Sequence, residues 1–368
     1  MDTLTLCGWS AFQWHRIPPL VRMLHLAGGG DDACLDELLD ASSPLFGGID
    51  WPLHAHARDV NHKPARRGLV EPHLCSAIDA SCLVHTSGCI AIMDPLATLL
   101  TLAQMLSCER LALAGSEMCS GFAIFRPDTG LQAILDQVNQ GDLSPLGDYA
   151  EDAIPEIRFG WQQARDLNGR PTDLWKRPAL LTISQIEEYV AGLPVRTQGR
   201  TRLRDACKLM VAGAASPLEA KAAILLGQPR RRGGEHLGPV QCNLPIPLNP
   251  EARQIARQSI CYGDLCFTGP NGRLLDIECH SKTWHDSSKK ALSDMARATA
   301  LECMGVEVLF LTDEQLRDDM QAAEIARRAR EKLGIKLTDP AIQLLAKRTA
   351  LREQILVDWK SFGIRSLY

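Results

Sequence analysis

The chain has 368 residues, 45% of them apolar and 23% charged, enough for two domains of ordinary size with their own cores. No run approaches the roughly 18 uncharged apolar residues of a membrane span, and the Met1-Asp2 start lacks the basic-then-apolar plan of a secretory signal. The formal charge of −4 conceals two opposed halves: residues 1–194 hold 13 Lys+Arg against 24 Asp+Glu, and residues 195–368 hold 27 against 20. The expectation is an acidic domain over 1–194, suited to a protein partner or to packing, and a basic domain over 195–368, where a polyanion would bind. Thirteen cysteines without a CxxC or CxxxC pair read as reduced thiols of a cytoplasmic chain. Cys75, Cys82 and Cys89, spaced by sevens, read as partly buried small apolar residues and not as part of a zinc set.

In chain order, Leu4 to Arg16 reads as a short strand or turn and a helical turn, stopped before Pro18-Pro19. Gly28 to Asp32 reads as a loop. Short apolar runs at 51–56, 83–85 and 89–93 read as strands of a small sheet. Asp94-Pro95 opens a helix to about Leu106, and a second helix covers about 108–121. Residues 126–194 are rich in polar and turn formers, with a long loop expected between about 140 and 178. Pro194 and the basic run Arg196 to Arg204 mark the boundary.

The second half is more regular. A helix is expected at about 202–213, and another capped at Ser216-Pro217-Leu218-Glu219 and ended by Gly227 and Pro229. Val240 to Ile246 reads as a strand. Tyr262 to Phe267 and Arg273 to His280, joined through Gly269-Pro270-Asn271-Gly272, read as a β-hairpin. A helix at about 287–304 ends at Gly305, a buried strand covers Val306 to Leu311, and basic amphipathic helices fill 313–333 and 338–358.

The chemistry lies on the hairpin. Period-two alternation puts Leu275, Ile277 and Cys279 on one face, and Asp276, Glu278 and His280 on the other. Asp264 on the partner strand falls within about one residue of Glu278. Two carboxylates and an imidazole on one face suit a hard divalent cation with open positions for water and phosphate. Bland readings stand beside this one. Alternating polar residues are usually a wet face. Ser216-x-x-Glu219 is a capping box. His285 reads more readily as a surface or packing histidine than as a ligand, and Asp294 and Arg297, spaced i, i+3 on a helix, also fit a plain surface ion pair. Arg230-Arg231-Arg232 with Gly233-Gly234 suits either a phosphate backbone or solvent.

The order of these pieces resembles the PD-(D/E)XK nuclease superfamily, in its branch similar to very-short-patch-repair endonucleases. Glu219, Asp264, Glu278, His285, Asp294, Arg297, Leu301 and Gly305 carry the resemblance, which covers about residues 200–355. It implies a restriction-endonuclease-like mixed sheet flanked by helices behind a separate α+β domain, hence a mixed α/β (α+β) chain. It also implies Mg²⁺ or Mn²⁺ on Asp264 and Glu278, and Glu219 as the helix-borne acid. His285 would sit beside the site, and DNA would lie along basic helices bearing Lys289, Lys290 and Arg297. His280 stands two residues after Glu278, where the superfamily has lysine and this branch more often an acid; it would polarise the attacking water, serve as a ligand, or mark a domain that kept the fold without the chemistry. RNA stays open as a substrate, because phosphate attraction carries no sugar information. The first half, through Ser116 to Phe122, resembles AbiEi-like regulators of abortive-infection toxin–antitoxin systems, which implies a phage-defence, toxin–antitoxin or repair setting.

Overall fold

The computed structural model describes residues 3–27, 46–57, 68–87, 89–142, 160–166, 168–280, 288–336 and 341–362. His285 and the Gly28–Asp32 loop lie outside them, as do the side chains of Lys289, Lys290 and Asp294. The chain is mixed α+β and divides into two compact units. The first comprises 1–114, 122–164 and 171–208; the second comprises 115–121, 165–170 and 209–368. No described helix is long and apolar enough to cross a membrane.

The first unit contains β1 (Leu4–Leu6), α1 (Gly8–Arg16), α2 (Pro19–Ala27), β2 (Leu53–Ala57), β3 (Val70–Leu74), β4 (Leu83–Ser87), β5 (Ile90–Met93) and α3 (Pro95–Leu102). It continues with α4 (Cys108–Met118), whose last turn counts with the second unit, then β6 (Phe122–Ile124) and α5 (Thr129–Asn139). After these come β7 (Gln162–Arg165), β8 (Pro171–Lys176), α6 (Ile183–Gly192) and α7 (Arg200–Cys207). One sheet has the order β3-β2-β1-β5-β4 and another the order β6-β8-β7. Asp94 caps α3 by accepting from Ala97 N at 2.7 Å, with Pro95 at the first helical position, as the sequence predicts.

Three expectations change here. Strand β3 is absent from the sequence reading; Pro72 in its middle is tolerated because β3 is the sheet edge and needs no ladder on its outer side. The loop expected at about 140–178 contains the strands β7 and β8, turned by Asp166, which accepts from the amides of Asn168 and Arg170. Residues 195–208 belong with the first unit despite their positive charge. Leu203 and Ala206 of α7 are fully buried, and Arg202 donates to the carbonyls of Ala103 and Leu106 at 2.7 and 3.1 Å. Those arginines serve local carbonyls, a use that net charge does not register.

The second unit contains α8 (Pro217–Gly227), β9 (Val240–Pro247), α9 (Pro250–Ala256), β10 (Ile260–Thr268) and β11 (Leu274–His280). Beyond them lie α10 (Ser288–Cys303), β12 (Glu307–Thr312), α11 (Asp313–Arg317), α12 (Asp319–Leu333) and α13 (Ile342–Ile355). The sheet order is β12-β11-β10-β9, with β11–β12 parallel and the other pairs antiparallel. Helices flank it. Ile246, Cys261, Cys266 and Val308 join Ala252 of α9 and Ala300 and Leu301 of α10 in one layer, while α8 approaches Phe267 and Val240. The helix expected over 313–333 breaks at Asp318, which is extended (ψ 122°) and caps α12 through Met320 N and Gln321 N. The Ser116–Phe122 stretch clasps this unit. Ser116 and Ser120 accept from the amides of Val211 and Ala214, and buried Glu117 accepts from Trp359 Nε1 at 2.5 Å.

Candidate active site

Helix α8 is placed by its first turn. Ser216 accepts from Glu219 N at 3.3 Å and donates to Glu219 Oε1 at 2.9 Å. Glu219 Oε2 accepts from Ala215 N at 2.7 Å and from Asn243 Nδ2 at 2.9 Å. The capping explanation for Glu219 therefore holds, with Ala215 N in place of the cap residue's own amide. The side chain nevertheless faces more than its cap. Burial raises its pKa to about 7, Asp264 adds to the rise, and the three donors oppose it.

Asp264 sits where the sheet is irregular. The β9–β10 register pairs Gly263 with Leu244 and Leu265 with Cys242, and between them Asn243 turns left-handed at φ 51°. The β10–β11 register pairs Cys266 with Asp276, Phe267 with Leu275 and Thr268 with Leu274. The paired register ends at Cys266 and Asp276, and Asp264 stands near enough to Glu278 for its charge to raise that carboxyl's pKa. At this step Asp264 Oδ2 itself accepts from Cys279 N at 2.8 Å, so a side chain replaces a backbone carbonyl in the ladder. Gly263 is required here. A Cβ at that position would lie 2.5 Å from Cys266 Sγ and 2.9 Å from Asp276 Cγ.

The polar face of β11 is not wet, which corrects the bland reading of the alternation. Asp276 is 0% exposed and Glu278 3%. Both carboxyl pKa values are raised, primarily by burial, with Asp264 adding to each. The two carboxyls lie within hydrogen-bond reach of each other. Asp276 Oδ2 and Glu278 Oε1 are buried and, among the described residues, have no hydrogen-bond donor. Arg297 of α10 forms an ion pair with Glu278 Oε2. One proton shared by the two carboxyls leaves one negative charge for Arg297, which is the arrangement low permittivity favours. Asp276 is the residue that sequence reasoning passed over. Its signal was present in the same i, i+2 spacing that marked Glu278.

The remaining candidates divide. His280 ends β11 with its ring 5.2 Å from that of Phe310. Arg297, expected on nucleic acid, is engaged with Glu278 instead, because a buried carboxylate holds the nearest guanidinium. Arg230–Arg232 form a single 3₁₀ turn, with Arg231 exposed. Arg230 lines a groove of about 730 Å³ with Arg327, Arg330 and Arg348, and none of the carboxylates above lines it. Much of the positive charge of this half is paired: Arg330 and Arg348 with Glu235, Arg327 and Arg328 with Glu324, Lys332 with Glu307, and Arg352 with Asp319. Asp264, Asp276 and Glu278 do not make a tight three-ligand cage. Among the described residues, the group whose ligand atoms all fall within 4.8 Å of one another is His54, Glu71 and His73, in the first unit.

The Glu219 environment predicts a pH effect. The folded chain holds this proton to about pH 7, whereas an exposed glutamate loses it near 4.5. Between those values the folded state binds more protons, so stability falls as pH rises across the window, by up to roughly 3 kcal/mol. Glu219→Gln keeps the acceptor for Ala215 N and Asn243 and removes the titration. Its urea midpoint is expected to fall less steeply than that of the wild type between pH 4.5 and 7, since Asp276 and Glu278 still titrate in both; parallel profiles would contradict this account.

Against known proteins, the chain matches no family model, no curated protein and no solved structure.

Proposed function

We propose that the second unit is a nuclease-like, metal-dependent DNA phosphodiesterase. The observation that carries this reading is the Asp276–Glu278 pair, buried, without donors at two oxygens, beside Asp264. Two donorless buried carboxylate oxygens are costly unless a proton or a cation lies between them. A hard cation that keeps its waters needs only one or two carboxylates, which suits Mg²⁺ or Mn²⁺ on Glu278 and Asp264. When bound, the ion supplies a Lewis acid that offsets charge growing on a scissile phosphate. The chain's own residues do the rest. Glu278 would pass its shared proton to Asp276 on becoming a ligand, the Cys279 amide holds Asp264, and Arg297, freed from Glu278, would be available to a phosphate.

A second reading has its own support. Arg297 already acts as an internal cation for Glu278, and His280 stands where the resembled superfamily has lysine. On that reading the domain binds DNA and does not cut it. Nicking of supercoiled plasmid by the full chain in Mn²⁺ or Mg²⁺ separates the two. Cleavage that stops with EDTA and falls at least a hundredfold in Asp264→Asn supports the enzyme. Absence of cleavage together with absence of Mn²⁺ uptake by calorimetry rejects it.

A further inference from the structure

Strands β2 and β3 lie side by side and parallel in the first unit, with His54 opposite Glu71 and His56 opposite His73. Side chains two apart on a strand share a face, so all four project on the same side of the sheet. His54 Nδ1 lies 2.7 Å from His73 Nε2, the rings being stacked at 4.9 Å. Glu71 Oε2 is 3.9 Å from His54 Nδ1, and Glu71 Oε1 is 3.8 Å from His73 Nε2. Two imidazole nitrogens and a carboxylate thus converge on one point.

We propose that His54, Glu71 and His73 bind a zinc-class divalent transition metal, with a fourth position open to water. The donor set is of the kind zinc accepts in sites that keep an exchangeable ligand. Ligands on a tetrahedral ion at about 2.0–2.1 Å stand roughly 3.3 Å apart. The pair at 2.7 Å has to open by about 0.6 Å, and one Glu71 oxygen, now within 4.8 Å of both nitrogens, has to approach them by up to about 1.5 Å. Side-chain rotation within one rotamer well supplies that. The ring that donates in the His54–His73 hydrogen bond moves its proton to its other nitrogen, so the tautomer changes and the charge does not.

The surroundings suit a metal. His54 is buried and fixed at its backbone, its amide donating to Ser10 Oγ at 2.8 Å and its carbonyl accepting from Cys7 N at 2.9 Å. Asp50, itself held by Gln13 Nε2 at 2.9 Å, adds a negative potential at His54 that favours a cation there. His56 donates to or accepts from no ligand of the set; its Nε2 meets the carbonyl of Cys75 at 2.9 Å, which spaces the edge strand. The Glu71 side chain is 35% exposed and that of His73 16%, so an ion can enter from solvent on the Glu71 side. Softer ligands and neutral imidazoles separate this site from the carboxylates of the second unit.

The test is calorimetric titration of Zn²⁺ into the full, reduced, chelator-stripped chain, with millimolar Mg²⁺ present to fill any hard-ion site. One Zn²⁺ per chain is expected. Glu71→Gln, which changes only a half-exposed carboxylate, is expected to weaken binding at least tenfold, and His73→Ala at least a hundredfold. His236→Ala, at an exposed histidine, should bind as the wild type does. Co²⁺ in place of Zn²⁺ should give the visible bands of a four-coordinate ion without an intense thiolate charge-transfer band. Equal affinity in wild type and Glu71→Gln, no binding by wild type, or a strong thiolate band would overturn the site. Far-UV circular dichroism shows whether His73→Ala has folded, and Glu71→Gln decides the matter if it has not.

Discussion

Arg297→Ala is expected to destabilise the second unit in alkali, by up to about 3 kcal/mol, and Mn²⁺ is expected to restore most of the loss. The guanidinium is the cation facing the buried Glu278, with Asp276 and Asp264 adding to the negative potential there. Removing one partner of a buried pair leaves an uncompensated charge, which costs more than the pair was worth. The pH dependence has a definite sign. Arg297 lowers the Glu278 pKa against the raising effect of burial. Without it the carboxyl holds its proton to still higher pH, so the loss is largest in alkali and shrinks as the solution is acidified. Urea midpoints at pH 5.5 and 8.5, each with and without Mn²⁺, measure this. The Glu278→Gln, Arg297→Ala double variant should be more stable than Arg297→Ala alone, because the neutral amide no longer needs a counter-ion. If Mn²⁺ shifts neither wild type nor Arg297→Ala, the carboxylates hold a proton and no metal, and the non-cutting reading gains.

The second large effect is expected at Gly233. Its φ of 91° is left-handed, and an added Cβ would stand 2.3 Å from the Lys347 carbonyl oxygen and 2.9 Å from Leu351 Cβ. Gly233→Ala therefore combines backbone strain with displacement of α13, together about 3 kcal/mol. Arg231→Ala, one turn away and exposed, should change stability by less than about 0.5 kcal/mol. If this turn grips a phosphate backbone, Arg231→Ala should instead reduce the salt dependence of DNA binding by about one counter-ion. Melting and a salt titration of each variant separate the packing role of the glycines from any electrostatic role of the arginines. A wild-type melting curve for Gly233→Ala would mean that α13 yields freely.

The glycines illustrate what could be read ahead of the structure. Gly233-Gly234 after three arginines suggested a flexible anion loop or a solvated one. Both are packing glycines, because the chain passes against backbone atoms of α13 and of Gln228. No local pattern encodes an approach between segments more than a hundred residues apart. Strand β3 went unread for a related reason: a proline such as Pro72 is tolerated in an edge strand, and edge position is a property of the sheet. The charge split misled in part. Sequence gives net charge, but Glu235, Glu324, Glu307 and Asp319 are spent on the arginines and lysine nearest them.

The sequence by itself determined the periodic features of the second unit. Ser216, the Gly269–Gly272 turn, the β11 alternation, Gly305 and the apolar run of β12 specified helix, hairpin, helix and strand nearly at their observed limits. These depend on capping, turn chemistry and period, which are local. It also brought Asp264 and Glu278 to the same end of the hairpin, since a tight turn fixes which stretches of the two strands run alongside each other. Tertiary structure decided everything that depends on burial. It made Asp276 and Glu278 a buried pair where alternation alone suggested a wet face, because α9 and α10 cover that side of the sheet. It turned Arg297 inward. It also brought His54 together with Glu71 and His73, across a parallel pairing that no turn connects and no spacing reveals.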